Sequence, residues 1–295
     1  MTSASLRTAR FVSGSLLAVS ALSAAGLALA QSAPSVDRTQ WSALHCDGAP
    51  ARQAGLLQVT VAGGTERDHR FTCAAAKRAL GFFLGHGLVP TSRLRIEFRE
   101  AVFLDLAGCM GAAGVDPAPC DTAVTAGAVN AGRAPGESSH AERVVGAFHP
   151  GSETALVTTE ASPWLRTYTY FGLAMNEEMF MSVLTHEITH ALSKSLYSPA
   201  ARAADLDIHV QEEYVAYVAQ LSTMSRDLRS AVLARFPAGT HRFKDETDIN
   251  ALSLGLSPEP FGVMSYRHFI SDAGGLGFLH RIYCGEYRPP FQVLY

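Results

Sequence analysis

The sequence predicts an α+β fold in which a twisted mixed β-sheet packs on one helix and a mainly helical C-terminal part follows. Strand-like alternation is concentrated before residue 160, a helical pattern without Gly or Pro runs from Asn176 to Leu196, and helical periodicity dominates thereafter. Strands that precede helices, rather than alternate with them, are typical of an α+β architecture. The predicted organisation is a signal peptide at 1–30, a sheet-bearing part at 31–175 and a helical part at 176–295, with 31–295 forming one unit.

The first thirty residues have the pattern of a bacterial secretory signal peptide. Arg7 and Arg10 form a basic start, an apolar run extends from Phe11 to Leu29, and Ala28-Leu29-Ala30 is a small-x-small cleavage site. No cysteine follows that site and no twin-arginine pair precedes it, which favours general export without a lipid anchor. We therefore expect a periplasmic or secreted protein with no stable membrane anchor after cleavage.

Charge argues against nucleic acid as a partner. The 24 Lys and Arg residues against 27 Asp and Glu give a net charge of −3. Loss of Arg7 and Arg10 with the signal peptide takes this value from −3 to −5. Proteins that bind nucleic acid need a basic patch or stripe to contact phosphates, and the mature chain has none.

Alternating and β-branched apolar runs in the N-terminal part predict the sheet. The predicted strands are Leu56–Val61, Leu94–Leu104, Val144–Phe148 and Thr154–Thr159, and the predicted helix is Glu66–Leu84. The strand Thr154–Thr159 comes closest before the next helix, so we expect it to be an edge strand that can hold an extended peptide by backbone pairing. An ordinary hairpin is the alternative interpretation.

Five cysteines in an exported chain predict disulfides. Cys109 and Cys120 flank a stretch rich in Gly, Ala, Pro and Asp, and a bridge between them would close that loop. Cys46 with Cys73 would tie the mature N-terminus to the first helix. Cys284 is then left over, and we expect it to be a buried thiol. The cysteine spacings match no zinc knuckle.

The pentapeptide His186-Glu187-Ile188-Thr189-His190 is the main indication of chemistry. Helical residues four apart lie on the same face, so the imidazoles of His186 and His190 can reach one cation at about 2.0–2.1 Å each. Glu187, about 100° round the helix, can reach a water at a further coordination position. This is the spacing that zinc hydrolases use.

The surrounding residues predict the helix that the motif requires. Asn176 is a suitable N-cap, and Glu177 and Glu178 place negative charge in the first turn, where the helix dipole favours it. Helical phase puts Glu187 inside the apolar arc, where an unpaired carboxylate would cost several kcal/mol. We therefore expect Glu187 to face a cleft, a metal-bound water or a partner. The alternative is a metal-free core helix whose histidines are hydrogen-bonded.

Helical phase also selects a third metal ligand from the next helix. Glu213 lies at the edge of the buried stripe of that helix, whereas Glu212 points nearly the opposite way and is expected to be solvated. Asp205, Asp207 and His209, which lie between the two helices, remain weaker alternatives.

These motifs together resemble those of the gluzincin group of zinc metallopeptidases, over about Asn176 to Leu228. In that group a downstream Glu-x-x-Ala supplies the third ligand, and Glu213-Tyr214-Val215-Ala216 fits it. Metzincin-type sites continue the motif with a Gly and a third His. Here Ala-Leu-Ser-Lys-Ser-Leu follows His190 instead, which excludes that group. The resemblance implies a zincin-like fold and one Zn²⁺ held by His186, His190 and Glu213. It matches no specific peptidase family, and Tyr217 stands where several gluzincin families carry an Asp that supports a ligand histidine.

The resulting expectation is an exported zinc metallopeptidase that acts on a peptide or protein substrate, with Glu187 as general base. A predicted helix after Pro258 carries Tyr266, Arg267 and His268, of which Tyr266 or His268 could stabilise an oxyanion. Two alternatives stay open. One is a catalytically silent zinc protein that serves as a periplasmic binding or scaffold module, and the other is a helical protein without metal.

Overall fold

The N-terminal part of the chain forms a five-stranded mixed sheet. A computed structural model describes residues 42–43, 46, 56–105, 123–125, 141–149, 152–203, 208–271 and 274–287. The sheet has the strand order β1-β2-β3-β8-β7. Its strands are β1 Ser42–Ala43, β2 Leu57–Ala62, β3 Ser92–Arg99, β8 Thr154–Thr158 and β7 Gly146–His149. Strands β2, β3 and β8 run parallel, and β1 and β7 close the two edges antiparallel to their neighbours.

Two smaller antiparallel units complete the strand structure. The strands β4 Val102–Asp105, β5 Ala123–Thr125 and β6 Ala141–Val144 form a three-stranded sheet in the order β5-β4-β6. The strands β9 Thr169–Tyr170 and β10 Leu173–Ala174 form a hairpin that comes directly before the motif helix.

Two predicted strands are each divided between the two sheets. The segment Leu94–Leu104 contains the end of β3 and most of β4, and the segment Val144–Phe148 contains the end of β6 and most of β7. Neither run has a Gly or Pro at its division, which lies at residues 100–101 in the first and at Val145 in the second. The sequence pattern therefore gives no sign that the pairing partner changes.

The prediction that Thr154–Thr159 is an edge strand is wrong. Strand β8 lies between β3 and β7, and all five of its residues are buried. A strand covered on both faces reads as a continuous apolar run, which does not reveal its place in the sheet. Strand β7 supplies this edge of the sheet instead.

Helix α1, Glu66–Gly85, crosses between the parallel strands β2 and β3. Its N-cap Thr65 forms a capping box with Asp68, whose carboxylate is fully buried. That carboxylate also accepts hydrogen bonds from the Thr159 hydroxyl at 2.6 Å and the Glu160 amide at 2.8 Å. The start of α1 is thereby fixed to the end of β8.

Helix α2, Glu177–Lys194, carries the His-Glu-x-x-His motif and packs on α1 and on strands of the sheet. The Asn176 side chain accepts a hydrogen bond from the Met179 amide at 2.9 Å, so the predicted N-cap is confirmed. The side facing away from the apolar arc is buried as well. Its hydroxyls bond within the helix, from Thr185 to the Met181 carbonyl and from Thr189 to the Thr185 carbonyl. Self-satisfied hydroxyls allow α2 to be covered on all sides.

The remaining described residues are mainly helical. The further helices are α3 Pro199–Ala203, α4 His209–Thr223, α5 Arg226–Arg235, α6 Ala251–Leu256, α7 Pro258–Phe269 and α8 Gly275–Cys284. Helix α4 packs on both α2 and α7. The structure thus confirms a mixed α+β fold with a small mixed sheet and a mostly helical C-terminal part.

The described residues all belong to one compact unit, which spans 39–295. The predicted signal peptide lies outside the described residues and stays a prediction. None of the described helices combines the length and the apolar character needed to cross a membrane.

The three cysteine predictions have different outcomes. The Cys46–Cys73 disulfide is confirmed. Cys109 and Cys120 lie outside the described residues. The expectation of a buried thiol at Cys284 is wrong, because this last residue of α8 is exposed. The helix ends directly after it with a left-handed Gly285, whose φ is 76°.

The disulfide should stabilise the unit by closing a loop with a sequence separation of 27. We expect Cys73→Ser to lower the free energy of unfolding by about 3–4 kcal/mol, because the open chain gains conformational entropy. Urea unfolding of the oxidised proteins measures this difference. The control Cys284→Ser removes an exposed thiol and should change stability by less than about 0.5 kcal/mol. Equal stability of the two variants would contradict a bridge between Cys46 and Cys73.

Candidate metal centre

Two helices bring three possible metal ligands together. His186 and His190 come from α2, and Glu213 comes from the second turn of α4. The two histidine Nε2 atoms are 3.1 Å apart. The Glu213 Oε2 lies 3.3 Å from the His186 Nε2, and the Glu213 Oε1 lies 3.4 Å from the His190 Nε2. These residues could hold a metal ion.

The separations suit one small divalent cation. A tetrahedral site with ligand distances of 2.0–2.2 Å places neighbouring ligand atoms about 3.3–3.5 Å apart. The three observed separations, 3.1, 3.3 and 3.4 Å, lie close to that value. Two imidazole nitrogens and one carboxylate oxygen are also the ligand types of catalytic zinc sites, which keep a fourth position open. The residues present therefore fit a zinc ion.

The three groups differ in their exposure. The side chains of His186 and His190 are 8% and 7% exposed, whereas that of Glu213 is 17% exposed. Burial alone would raise the pKa of Glu213, but the neighbouring imidazoles outweigh it and hold the pKa well below its usual range. Glu213 is thus an ionised carboxylate that needs positive charge beside it.

Glu187 is buried beside the two histidines, on the side of α2 that faces the sheet. A Cβ atom added to Gly146 of β7 would lie 2.8 Å from the Glu187 Oε1, so only glycine leaves room for this carboxylate against the strand. Burial raises the pKa of Glu187 to about 7, the charge of Glu213 adds to this rise, and His190 opposes it. A carboxyl with such a pKa can take up and release a proton near neutrality.

Aromatic rings hold both histidines in place. The ring of Phe148 on β7 stacks on His190 with a centroid distance of 5.8 Å and an interplanar angle of 8°. The ring of Tyr217 contacts His186 edge-on at 4.6 Å. Among the described residues, the buried Nδ1 of His186 has no hydrogen-bond partner. Packing therefore orients His186. Several gluzincin families instead carry an Asp at the position of Tyr217, and its carboxylate supports the ligand histidine.

Tyr217 reaches His186 because helix α7 approaches α4 closely at Gly262. A Cβ at Gly262 would lie only 2.4 Å from the Tyr217 Cδ1. The position of the histidine thus depends on a glycine in a different helix.

Glu212 is half-buried, so the expectation that it is solvated is wrong. Burial raises its pKa, against the opposing charges of His190 and His209. Its charge also acts on the phenols of Tyr197, which lies just after α2, and of Tyr283 on helix α8. The prediction for Glu212 used the helical phase of α4 alone, so it could not take these neighbouring residues into account.

Of the alternative third ligands, His209 is the one that the structure describes, and it is not part of the group of three. His209 is exposed in the first turn of α4. Asp205 and Asp207 lie outside the described residues.

The predicted oxyanion donors lie in other surroundings. His268 is buried, its Nδ1 is 2.8 Å from the Tyr214 hydroxyl, and its ring packs on Phe278. Tyr266 packs under the Arg229 guanidinium at 5.9 Å. Among the described residues, none of the recorded contacts of these two side chains is with the metal ligands or Glu187. The structure does not bring Tyr266 or His268 to the site.

The neighbouring Arg267 donates hydrogen bonds to main-chain carbonyls at the end of α5 and in the segment that follows it. Its acceptors are the carbonyls of Leu233, Phe236 and His241. This arginine holds the C-terminal helices together.

Tyr170 lies near the candidate site, although the sequence reasoning did not single it out. It lies on β9 and its ring packs on Phe171 at 4.5 Å, while Phe171 packs at 6.3 Å on Tyr217, the ring that contacts His186. Burial raises its pKa, so the phenol stays protonated. Gly172 in the two-residue turn is the one local signal of the hairpin, because such turns favour glycine. It does not show, however, that the hairpin reaches helix α4.

The comparison with protein families assigns the chain. Residues 133–290 match the Family of unknown function (DUF6639), and the chain belongs to this family. The matched span contains the three candidate ligands and Glu187. No curated protein and no solved structure matches the chain.

The contact between Gly262 and Tyr217 gives a stability prediction. We expect Gly262→Ala to lower the free energy of unfolding by about 1–3 kcal/mol, because the added methyl group overpacks the contact between α7 and α4. The same change should weaken zinc binding, since Tyr217 is displaced against His186. Urea unfolding and zinc titration measure the two effects.

The control is Gly255→Ala in helix α6, where an added Cβ meets nothing within 4 Å. This variant should be as stable as the wild type or slightly more stable. If the two variants are equally stable, Gly262 does not limit the approach of the helices.

Proposed function

We propose that this chain is an exported, zinc-dependent metallopeptidase with a zincin-like arrangement. The observation that supports it most is the convergence of His186, His190 and Glu213 at mutual separations of 3.1–3.4 Å. The buried Glu187 beside them adds the general base that peptide hydrolysis requires. The spacing of the two motifs, which resembles that of gluzincins, points to the same class.

Strand β7 is the proposed place for an extended substrate. It forms the edge of the sheet beside α2, and an edge strand can pair with a peptide through its main chain. Gly146 of β7 lies against Glu187, and Phe148 lies against His190. A peptide paired with β7 would therefore carry its backbone past both the base and the metal ligands.

The proposed roles of the metal ligands, Glu187 and the aromatic residues follow from these positions. Zinc held by His186, His190 and Glu213 would supply Lewis-acid polarisation of a carbonyl and acidification of a water. Glu187 accepts the proton of the attacking water and returns it to the departing amine. Phe148 and Tyr217 keep the imidazoles from rotating away during this exchange.

Export and a peptide or protein substrate belong to the same proposal. The Cys46–Cys73 disulfide is compatible with an oxidising compartment such as the periplasm or the medium. The signal-peptide pattern at residues 1–30 points the same way.

One observation favours the second candidate, a zinc-binding protein without turnover. Among the described residues, the buried His186 Nδ1 has no hydrogen-bond partner, and lack of such a supporting bond typically lowers metal affinity or activity by about 10–100-fold. Such a protein would keep the ion and act as a binding or scaffold module.

The deciding experiment is a metal count combined with a cleavage screen. The mature protein is analysed for bound metal and then incubated with an unbiased peptide library, whose products are identified by mass spectrometry. The peptidase predicts one zinc per chain and cleavage that a chelator stops and zinc restores. Zinc without cleavage would favour the silent protein, and a chain that takes up no ion at micromolar concentration would refute both.

Glu187→Gln tests the general base. We expect it to keep zinc and to lower turnover by about 10²–10⁴-fold, since the amide cannot accept the proton. Zinc stoichiometry and the rate of library cleavage are the measurements. Glu66→Gln, at an exposed carboxylate on α1, serves as the control and should keep full activity. Full activity in Glu187→Gln would remove Glu187 from the mechanism.

Glu213→Ala and Glu212→Ala test the third ligand as a matched pair. Loss of a direct ligand should weaken zinc binding by roughly a hundredfold or more, whereas loss of Glu212, which lies outside the group of three, should weaken it by less than about tenfold. Competition with a chromophoric chelator measures both affinities. Equal losses in the two variants would overturn the assignment of Glu213.

A further inference from the structure

We propose that Phe171, in the turn of the β9–β10 hairpin, is a positioning residue that holds Tyr217 against the metal-ligating His186. This inference rests on the zinc site of the proposed function and does not depend on which bond the protein cleaves. Its starting point is a bulky residue with a backbone conformation that such residues rarely adopt.

The turn of the β9–β10 hairpin consists of two residues, Phe171 and Gly172. Their φ values are 53° and 67°, so both residues lie in the left-handed region. Two-residue turns of this kind strongly favour Asn-Gly, Asp-Gly or Gly-Gly, because a bulky side chain at the first position is crowded by the backbone. Gly172 follows this preference and Phe171 does not. Such a departure from the local rule is typical of a residue whose side chain is required elsewhere.

The Phe171 side chain is fully buried, although turn residues usually lie on the surface. Its ring packs edge-on against Tyr217 at 6.3 Å and against Phe236 at 6.2 Å. Edge-to-face contacts between aromatic rings are favourable at such separations. The turn is thereby anchored on helix α4 at Tyr217, which lies one helical turn after the candidate ligand Glu213.

Tyr217 is enclosed by side chains and backbone from two other parts of the fold. Phe171 contacts its ring from the hairpin, and Phe261 contacts it from α7 at 6.2 Å. Gly262 of α7 leaves no room for even a methyl group beside the Tyr217 Cδ1. Among the described residues, the further ring that Tyr217 contacts is that of His186, at 4.6 Å. A cavity in place of the Phe171 ring would therefore give Tyr217 space to leave His186.

His186 depends strongly on this packing. Among the described residues, its buried Nδ1 has no hydrogen-bond partner, so no such bond fixes the rotation of the ring. A shared ion nevertheless requires its Nε2 to stay near the other ligand atoms, which lie 3.1 Å away in His190 and 3.3 Å away in Glu213. Groups that orient a ligand histidine typically change metal affinity by about 10–100-fold. Phe171 has this role through Tyr217.

Phe171→Leu tests the role in the full mature chain, with zinc as the probe. We expect its zinc affinity to fall by about 10–100-fold, because the smaller side chain no longer holds Tyr217 in place. Competition with a chromophoric chelator measures the affinity, and circular dichroism checks that the metal-free variant is folded. If Phe171→Leu folds poorly, Phe171→Met is the second variant, since methionine fills irregular space and has no ring.

Phe83→Leu in helix α1 is the matched control. Phe83 is also fully buried and contacts Phe82 edge-on at 5.4 Å. Among the described residues, none of its recorded ring contacts is with Tyr217 or a candidate ligand. The control should lose stability to a similar degree, but its zinc affinity should stay within about twofold of the wild type. Equal losses of affinity in the two variants would show that zinc binding only follows stability, and would overturn the inference.

A double-mutant cycle with Tyr217→Leu tests whether Phe171 acts through Tyr217. If it does, Phe171→Leu should change the zinc affinity of Tyr217→Leu by less than about twofold, because the ring that Phe171 supports is already absent. Additive losses would mean that Phe171 affects the site by another route, and would also overturn the inference.

Cobalt gives a readout that a change in stability alone does not move. The visible absorption of bound Co²⁺ depends on the arrangement of its ligands. At saturation with Co²⁺, we therefore expect the spectrum of Phe171→Leu to differ from that of the wild type and the spectrum of Phe83→Leu to match it. Identical spectra of all three proteins would count against a positioning role.

The outcomes distinguish this inference from the proposed function. If the wild type binds zinc and cleaves peptides while Phe171→Leu binds zinc equally tightly, this inference fails and the peptidase stands. If the wild type binds zinc and cleaves nothing, the peptidase fails, and the zinc affinities of the variants still decide this inference. If the wild type takes up no zinc, both fail.

Discussion

The contact between α2 and α4 is the interaction on which the candidate site depends. Each helix carries only part of the ligand set, two imidazoles on one and a carboxylate on the other, and packing brings their atoms to within 3.4 Å. Helix α2 can take this central position because hydroxyls such as that of Thr189 bond back to the helix itself. Glycines at 146 and 262 then remove the steric barriers to Glu187 and Tyr217.

The charges around the three candidate ligands explain why this region suits a cation. Glu187 and Glu213 are two carboxyl groups close to two imidazoles in a mostly buried place, and buried charges are costly without compensation. The environment separates their roles, since burial raises the pKa of Glu187 to about 7 while the imidazoles hold the pKa of Glu213 well below its usual range. One group is suited to moving a proton and the other to holding a positive ion, which is the division that the proposed hydrolase requires.

Errors in the predicted fold share a physical cause. The N-cap at Asn176, the span of α1 and the Cys46–Cys73 bridge were predictable because they depend on local pattern or on simple pairing. The order of strands was not, because β8 and β7 have similar apolar content and only their pairing partners differ. The environment of Glu212 was equally hidden, since residues distant in sequence cover it.

The sequence alone determined that two histidines share one helical face and that Glu213, rather than Glu212, turns toward them, because helical periodicity is a property of the backbone. It also marked Glu187 as a carboxylate that an apolar arc cannot tolerate without a function. Only the tertiary structure decided which strand lies beside these residues and that Tyr217 packs against His186. Those facts depend on long-range packing between surfaces, and no local pattern in the chain encodes which surfaces meet.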